Sequence, residues 1–266
     1  MGGSSHTRRI VPKTPFTRST AALTLRWLHR IKREKVGLAA SVIQPVVWLL
    51  LFGSVFSRIV TVSTYSYIAF MTGGVVIMTT FNGALNGGVE LLFDRESRML
   101  YRLLTSPITP SSIIASRLLF VLGVTSAQSL AMLLLAALVG VGVAAGALGV
   151  VLIVLTGVLL GVGILLLSMA LAFTLRGHEQ FFSILGFVTL PITFASAEFA
   201  PIQDMPHWLQ TVAMLNPLTY AINGVRSLVL TGLNWGALGS IMLVLGLFDA
   251  AVFSIAVYAM RRAIEL

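Results

Sequence analysis

Apolar runs long enough to cross a lipid bilayer recur along most of this chain, and they constrain its fold more than any other feature. A hydrocarbon core of roughly 30 Å needs about 20 mostly apolar residues in a helix. Six such segments can be marked, at 36–56, 66–89, 111–139, 146–175, 180–197 and 235–260. Composition agrees: 57% of residues are apolar and 10% charged, with a mean hydropathy of +0.95, against roughly 45–50% and 25% in soluble domains. Lipid offers no partner to backbone polar groups, so runs of this length must be helices. The sequence therefore predicts an all-α membrane protein with six transmembrane helices, in which 36–266 form one domain and 1–35 a basic cytoplasmic tail.

Charge predicts the orientation. Residues 1–35 hold no apolar stretch of the kind a cleavable signal needs, but carry Arg8, Arg9, Lys13, Arg18, Arg26, Arg30, Lys32, Arg33 and Lys35. With the N-terminus inside, these nine are joined on the cytoplasmic side by Arg95, Arg98, Arg102, Arg117, Arg176, Arg261 and Arg262, leaving only Arg58 and Arg226 outside. Basic residues collect on the cytoplasmic face of membrane proteins, so both termini are expected there. The net charge of +9 then reads as topology and attraction to anionic lipid, not as nucleic-acid binding.

Two segments are not ordinary spans or loops. At 100° per residue, 17–35 places Ala21, Leu23, Leu25, Trp27, Leu28 and Ile31 in one half and Arg18, Arg26, Arg30, Lys32 and Arg33 mainly in the other, which predicts an amphipathic helix lying in the headgroup plane. After the short fifth segment, with its internal Pro191, "SAEFAPIQDMPHWLQTVAMLNPLTYAINGVRSLVLTGLNW" is too apolar for a loop and too broken by Pro201, Pro206 and Pro217 for one span. Two short helices are expected, one opening near Asp204 and Met205 with Pro206 in its first turn. The other opens at Asn216 as cap, with Pro217 as its first residue. Such helices must dip into the outer face and return, which is tolerated where they are buried in protein or line a cavity. The Gly and Ala of segments three and four read as close-packing faces.

Catalytic signatures are missing. No G-x-x-x-x-G-K-[ST] occurs, so the chain does not cradle a nucleotide by that route. His6, His29, His178 and His207 lack metal-ligand spacing, no Ser/His/Asp set is discernible, and without cysteine there is no thiolate or disulfide chemistry. No internal repeat relates the two halves, and few ionisable groups lie within the spans, which argues against an ion-coupled carrier.

The charge that remains is concentrated in "DRESRMLYRLLTSPITP", 94–110. Glu90, Asp94, Arg98 and Arg102 recur at four-residue spacing, so a helix running out of the second span would carry one charged stripe, with Met99, Leu100, Leu103 and Leu104 as an apolar face. From the residues alone two readings stand: a docking element for a cytoplasmic partner, or an interfacial helix whose acids and arginines pair with one another.

"DRESRMLYRLLTSPITPSSIIASRLL" resembles the segment after the second span in the type 2 family of ABC exporter permeases. "SVIQPVVWLLLFGSVF" is similar to that family's first span, and "FAPIQDMPHWLQTVAMLNPLTYAINGVRSLVLTG" to its outer hairpin. Within the family the chain looks most like the small daunorubicin-resistance-type permeases. The resemblance implies a permease without catalytic residues of its own, working as two copies, or with a homologue, on two separate ATP-binding subunits that hold ATP and Mg. It implies an interface helix including Arg26, Trp27, Arg30 and Arg33, and a coupling helix including Asp94, Arg95, Glu96, Arg98, Arg102, Leu103 and Leu104. The plasma membrane, the inner one in a bacterium, is the implied location.

A pathway in such a protein is expected along spans one, two and five, with Gln44, Trp48, Phe81, Asn82 and Asn86 as candidate wall residues or, equally, as packing and interhelical hydrogen-bonding groups. Phe194, Glu198, Trp208, Asn216, Pro217, Tyr220 and Arg226 are candidates for an outer gate, with Arg226 a possible partner of Glu198; Trp208 and Tyr220 read equally well as interface-belt aromatics. Glu198 and Asp249 are costly near lipid and should face protein, water or a partner. An amphipathic drug or lipid-like cargo is expected, a glycan being the alternative. A lipid-modifying enzyme or a non-transporting anchor is the competing class.

Overall fold

The computed structural model describes residues 15–31, 35–56, 65–175 and 177–264, and every regular element among them is helical. In chain order these are α1 (Phe16–Ile31), α2 (Lys35–Phe56), α3 (Tyr67–Glu96), α4 (Met99–Leu104), α5 (Pro110–Leu138), α6 (Gly146–Thr174), α7 (His178–Phe194), a 3₁₀ turn (Ile202–Asp204), α8 (His207–Leu215), α9 (Pro217–Leu230) and α10 (Trp235–Ile264). Among the described residues, four helices are long and apolar enough to cross a membrane: Tyr67–Glu96, Ser111–Leu138, Gly146–Thr174 and Trp235–Ala259. The apolar stretch of α2, Ala39–Val55, is shorter, as is α7 with its 17 residues and internal Pro191.

The core is built on α3, which packs on α6, α5, α9 and α2. Its start is fixed by Ser66, whose side chain accepts from the Ala69 N–H, a typical cap. Small residues allow the close α3/α6 crossing: a Cβ on Gly88 would lie 2.6 Å from the backbone of Ser168. Backbones that approach this closely gain dispersion contacts that lipid tails cannot offer. The Ser168 hydroxyl adds a 2.7 Å bond to the Leu85 carbonyl.

At one end of the bundle, α1 lies across α5 with Ser19, Thr20, Leu23 and Trp27 buried. The expected apolar half divides between two surroundings. Leu25 and Leu28 are exposed, while Arg26 and Arg30 stand beside the Trp27 ring, at 5.0 and 5.7 Å from its centroid. Acidic groups at the ends of α3 attract these arginines inward, which hydropathy alone does not anticipate. Arg33 lies outside the described residues, as do Arg8, Arg9, Lys13, Lys32, Arg58 and Arg176 of the charge pattern.

The expected continuous stripe from Asp94 to Arg102 is also broken. The α3 helix ends at Glu96, and Arg98 takes φ 57°, ψ 10°, a left-handed conformation costing an L-residue roughly 1–2 kcal/mol. The chain turns there, so Asp94 points into the protein while Arg98 and Arg102 are exposed on α4. Leu100 is buried and Leu103 packs against the core; the Leu104 side chain lies outside the described set.

At the opposite end, α9 is embedded, with Leu218, Ala221, Ile222, Val225 and Leu228 fully buried. Asn216 caps it by accepting from the Leu218 N–H at 3.0 Å, with Pro217 as first residue, as expected. The carbonyls of Leu228 and Val229 at its C-terminus accept from Ala145 and Ala144 in the α5–α6 loop, both at 3.0 Å. α8 starts later than expected. Asp204 belongs to the 3₁₀ turn, and Pro206, with extended ψ 146°, precedes the helix instead of sitting in its first turn. Unlike α9, α8 exposes its apolar side chains, Trp208 and Leu215 among them.

Candidate functional site

A cavity of about 520 Å³ follows α3 between α2, α5 and α7. Its α3 wall runs from Val75 to Phe93, 18 positions or about 27 Å at 1.5 Å per residue, close to the hydrocarbon thickness of a bilayer. The wall is apolar with interspersed amides: Gln44 from α2, Asn82 and Asn86 from α3, and Gln128 from α5. Gln128 donates to the Ser41 hydroxyl at 2.7 Å, which ties α5 to α2. Such a lining accepts a mostly apolar molecule and leaves a few groups to orient its polar part.

Of the five wall candidates read from sequence, Gln44, Trp48, Asn82 and Asn86 line this cavity. Phe81 is 2% exposed and belongs to the hydrophobic core, one residue round the helix from Asn82. Gln128 was not among the candidates. Its signal was an amide in an otherwise apolar third segment.

The cavity's α1 end is charged. Glu90 and Arg30 line it, and behind them Arg117, only 2% exposed, donates from Nη1 to Glu90 and from Nη2 to Asp94 at 3.0 Å. Its guanidinium lies 3.6 Å from the Trp27 ring centroid, and Arg30 approaches Asp94 at 3.7 Å. One buried cation therefore joins α1, α3 and α5. The sequence reading counted Arg117 only as one more basic residue on the inner face. Its register opposite Glu90 and Asp94 depends on how α3 and α5 pack.

The other members of the 94–104 cluster divide. Arg95 donates from Nη1 to the carbonyls of Ala172, Phe173 and Leu175, at 2.9, 3.1 and 2.8 Å. These are acceptors that a helix C-terminus leaves open, and a cation there also meets the negative end of the dipole. Glu96 pairs with His178 at 3.1 Å. Only Arg98 and Arg102, with Tyr101 between them, face outward from α4.

At the α8–α9 end, Glu198 reaches the cavity together with Phe194, Phe199 and Trp48. The rings form a chain: Trp48 stacks on Phe52 at 4.7 Å, Phe199 lies 6.3 Å from Trp48, and Phe194 stacks on Phe199 at 5.4 Å. Arg226 is near, but it does not hold the carboxylate. It donates to the main-chain carbonyls of Phe70, Ala197 and Glu198, at 3.2, 2.7 and 3.3 Å, and stacks 3.5 Å from the Phe70 centroid. Oε2 of Glu198 is buried without a hydrogen-bond partner. Asn216 donates to the carbonyls of Ile192 and Ala195 at 2.7 and 3.2 Å, and the Tyr220 hydroxyl to Met214 at 2.8 Å. Asp249 lies against Gly163 of α6. Trp208 stands apart from the cavity, 70% exposed on α8.

A helical membrane fold around a cavity of membrane depth, without a nucleotide-binding motif, is a permease architecture. The family comparison agrees: residues 18–230 match the ABC-2 type transporter family, and the chain belongs to it. A transport permease, ycf38, of Porphyra purpurea is 39% identical over 77% of this chain and 72% of its own length. That of Pyropia yezoensis is 39% identical over 80% and 74%. The daunorubicin resistance ABC transporter permease protein DrrB1 of Streptomyces coeruleorubidus is 26% identical over 80% and 76%.

Proposed function

We propose that the chain is the membrane subunit of an ATP-driven exporter that moves an amphipathic drug or lipid-like molecule outward. The observation that carries this reading is the cavity itself: about 520 Å³, apolar with scattered amides, and as long as the hydrocarbon core is thick. In this reading α2 and α7 complete a set of six spans, both termini are cytoplasmic, and the α8–α9 hairpin enters from the outer face of the plasma membrane. Energy comes from two copies of a separate ATP-binding subunit, which hold the ATP and Mg, and a second permease copy or homologue completes the assembly.

Arg98, Tyr101 and Arg102 are the contact through which α4 receives the motion. They project from a helix whose Leu100 and Leu103 are anchored in the core, so a push on them reaches α3 and α5 directly. α1 provides a second contact, seated on membrane lipid by Leu25 and Leu28 and latched by Arg117.

The test is co-purification with the candidate ATP-binding subunit, followed by reconstitution in inverted vesicles. ATP-dependent uptake of amphipathic compounds, with stimulated hydrolysis, is expected. A folded chain that associates with no ATP-binding subunit would overturn the reading.

A further inference from the structure

Glu198 is the feature the permease reading leaves unexplained. The residue is 6% exposed, it lines the cavity, and its Oε2 is buried without a hydrogen-bond partner. Burial pushes the Glu198 carboxyl up to about 8, so it is largely protonated at neutral pH, and a cation placed beside it restores the charged form. The neighbouring cation does not fill the role, because the Arg226 guanidinium is held by three main-chain carbonyls and the Phe70 ring. Tyr67, the other titratable neighbour, donates its hydroxyl to the Phe199 carbonyl at 3.2 Å. Gly74 of α3 lets the Glu198 side chain lie close: a Cβ there would stand 3.1 Å from Glu198 Cγ.

Trp48, Phe194 and Phe199 line the same cavity as Glu198, with the Phe199 ring against both of the others. Aromatic faces attract cations, quaternary ammonium groups in particular, and do so most strongly where water is excluded. Other ionisable groups lining the cavity, among the described residues, are Arg30 and Glu90. Both lie toward the α1 end, about 24 Å away by the 16-residue separation of Gly74 and Glu90 along α3.

Resting on the exporter reading above, we infer that the outer end of the cavity is a subsite for the cationic head of an amphipathic amine. The Glu198 carboxylate is its counter-charge, and Trp48, Phe194 and Phe199 form its cation–π wall. The apolar remainder of the molecule then extends along α3, past the amides of Asn82 and Asn86. No bond is made or broken; the subsite selects by charge.

Binding to the permease alone tests this without the ATP-binding subunit. The probes are radiolabelled decanoylcholine and the neutral ester in which a tert-butyl group replaces the trimethylammonium. Each is measured by equilibrium dialysis against lipid nanodiscs with and without the protein. The expected result is binding of the cation roughly tenfold or more tighter than the neutral ester, the size of one well-placed charged contact. Glu198→Gln should remove that preference. Should that variant fail to fold, Trp48→Leu, at a position already 40% exposed, decides: the subsite requires a weakened preference, and an unaltered one overturns it. Equal binding of the two esters by the native chain, or a preference that survives Glu198→Gln, also overturns the subsite while leaving an amphiphile exporter standing. Absence of binding of either ester above empty nanodiscs would likewise overturn the subsite, the exporter reading being decided separately by association with the ATP-binding subunit.

Discussion

Replacing Arg117 by methionine removes the charge that joins three helices while keeping most of the side-chain volume. In the native chain this guanidinium, 2% exposed, donates to Glu90 and to Asp94 and lies against Trp27. Without it Asp94, itself only 6% exposed, keeps Arg30 at 3.7 Å, whose side chain is 41% exposed and contributes less than about 1 kcal/mol. Leaving a buried charge uncompensated costs roughly 3–5 kcal/mol, and the lost cation–π contact adds about 1. The net expectation for Arg117→Met is about 4 kcal/mol. Neutralising the orphan in the double variant Arg117→Met, Asp94→Asn should recover about half of that, because well-packed neutral groups can substitute for a buried ion pair. Reversible unfolding in mixed micelles reads both numbers, and limited proteolysis of α1 reads the release of Trp27. A cost below about 1 kcal/mol for the single variant, or a double variant as unstable as the sum of the two singles, would refute the reasoning.

Three further outcomes are expected. Arg95→Ala leaves the carbonyls of Ala172, Phe173 and Leu175 without their donor and should cost about 1–3 kcal/mol in the same unfolding measurement, with partial recovery in Arg95→Lys. Gly88→Val should abolish the folded monomer on gel filtration, since a Cβ there stands 2.6 Å from the Ser168 backbone; Gly123→Ala, whose Cβ meets nothing within 4 Å, should be neutral or more stable by up to about 1 kcal/mol. Arg98→Glu with Arg102→Glu, both exposed, should leave stability within about 0.5 kcal/mol and reduce co-purification of the ATP-binding subunit at least tenfold; unchanged association would remove α4 as the contact.

The sequence was most legible where structure is local. The Asn216–Pro217 start of α9 needs only a cap and a fixed φ, both carried by adjacent residues, and it appears as expected. Segment ends fall within one or two residues of the helices at α2, α5 and α6, because a hydropathy boundary and a helix boundary coincide there. The end of α3 does not follow hydropathy, since the helix continues through charged Glu90, Asp94 and Arg95 to Glu96. Those charges are satisfied by Arg117 and by the α6 carbonyls, contacts across 23 to 80 residues of sequence. The same cause hid how the apolar half of α1 divides: Leu23 and Trp27 pack inward beside Arg117, and Leu25 and Leu28 face outward. The Arg98 break could not be read at all, as arginine has no preference for positive φ. For the cavity, residue type pointed to four wall positions. Packing decided that Phe81 turns to the core and that Glu198 lines the same cavity as Trp48.

One face of α3 lines a cavity of membrane depth, and as a passage for cargo that face must be reachable from water. The chain contains no cysteine, so single cysteines can be placed at 78, 82, 86, 90 and 93 along the cavity wall, at 77, 84 and 91 in the core, and at 134 on the exposed side of α5. A membrane-impermeant maleimide reacts only where water lets the thiol ionise. Labelling is expected at the five wall positions, with protection of 82 and 86 by an amphipathic cargo and silence at the core and lipid-facing positions. Labelling that ignored this face, or was confined to the two ends of α3, would contradict that expectation.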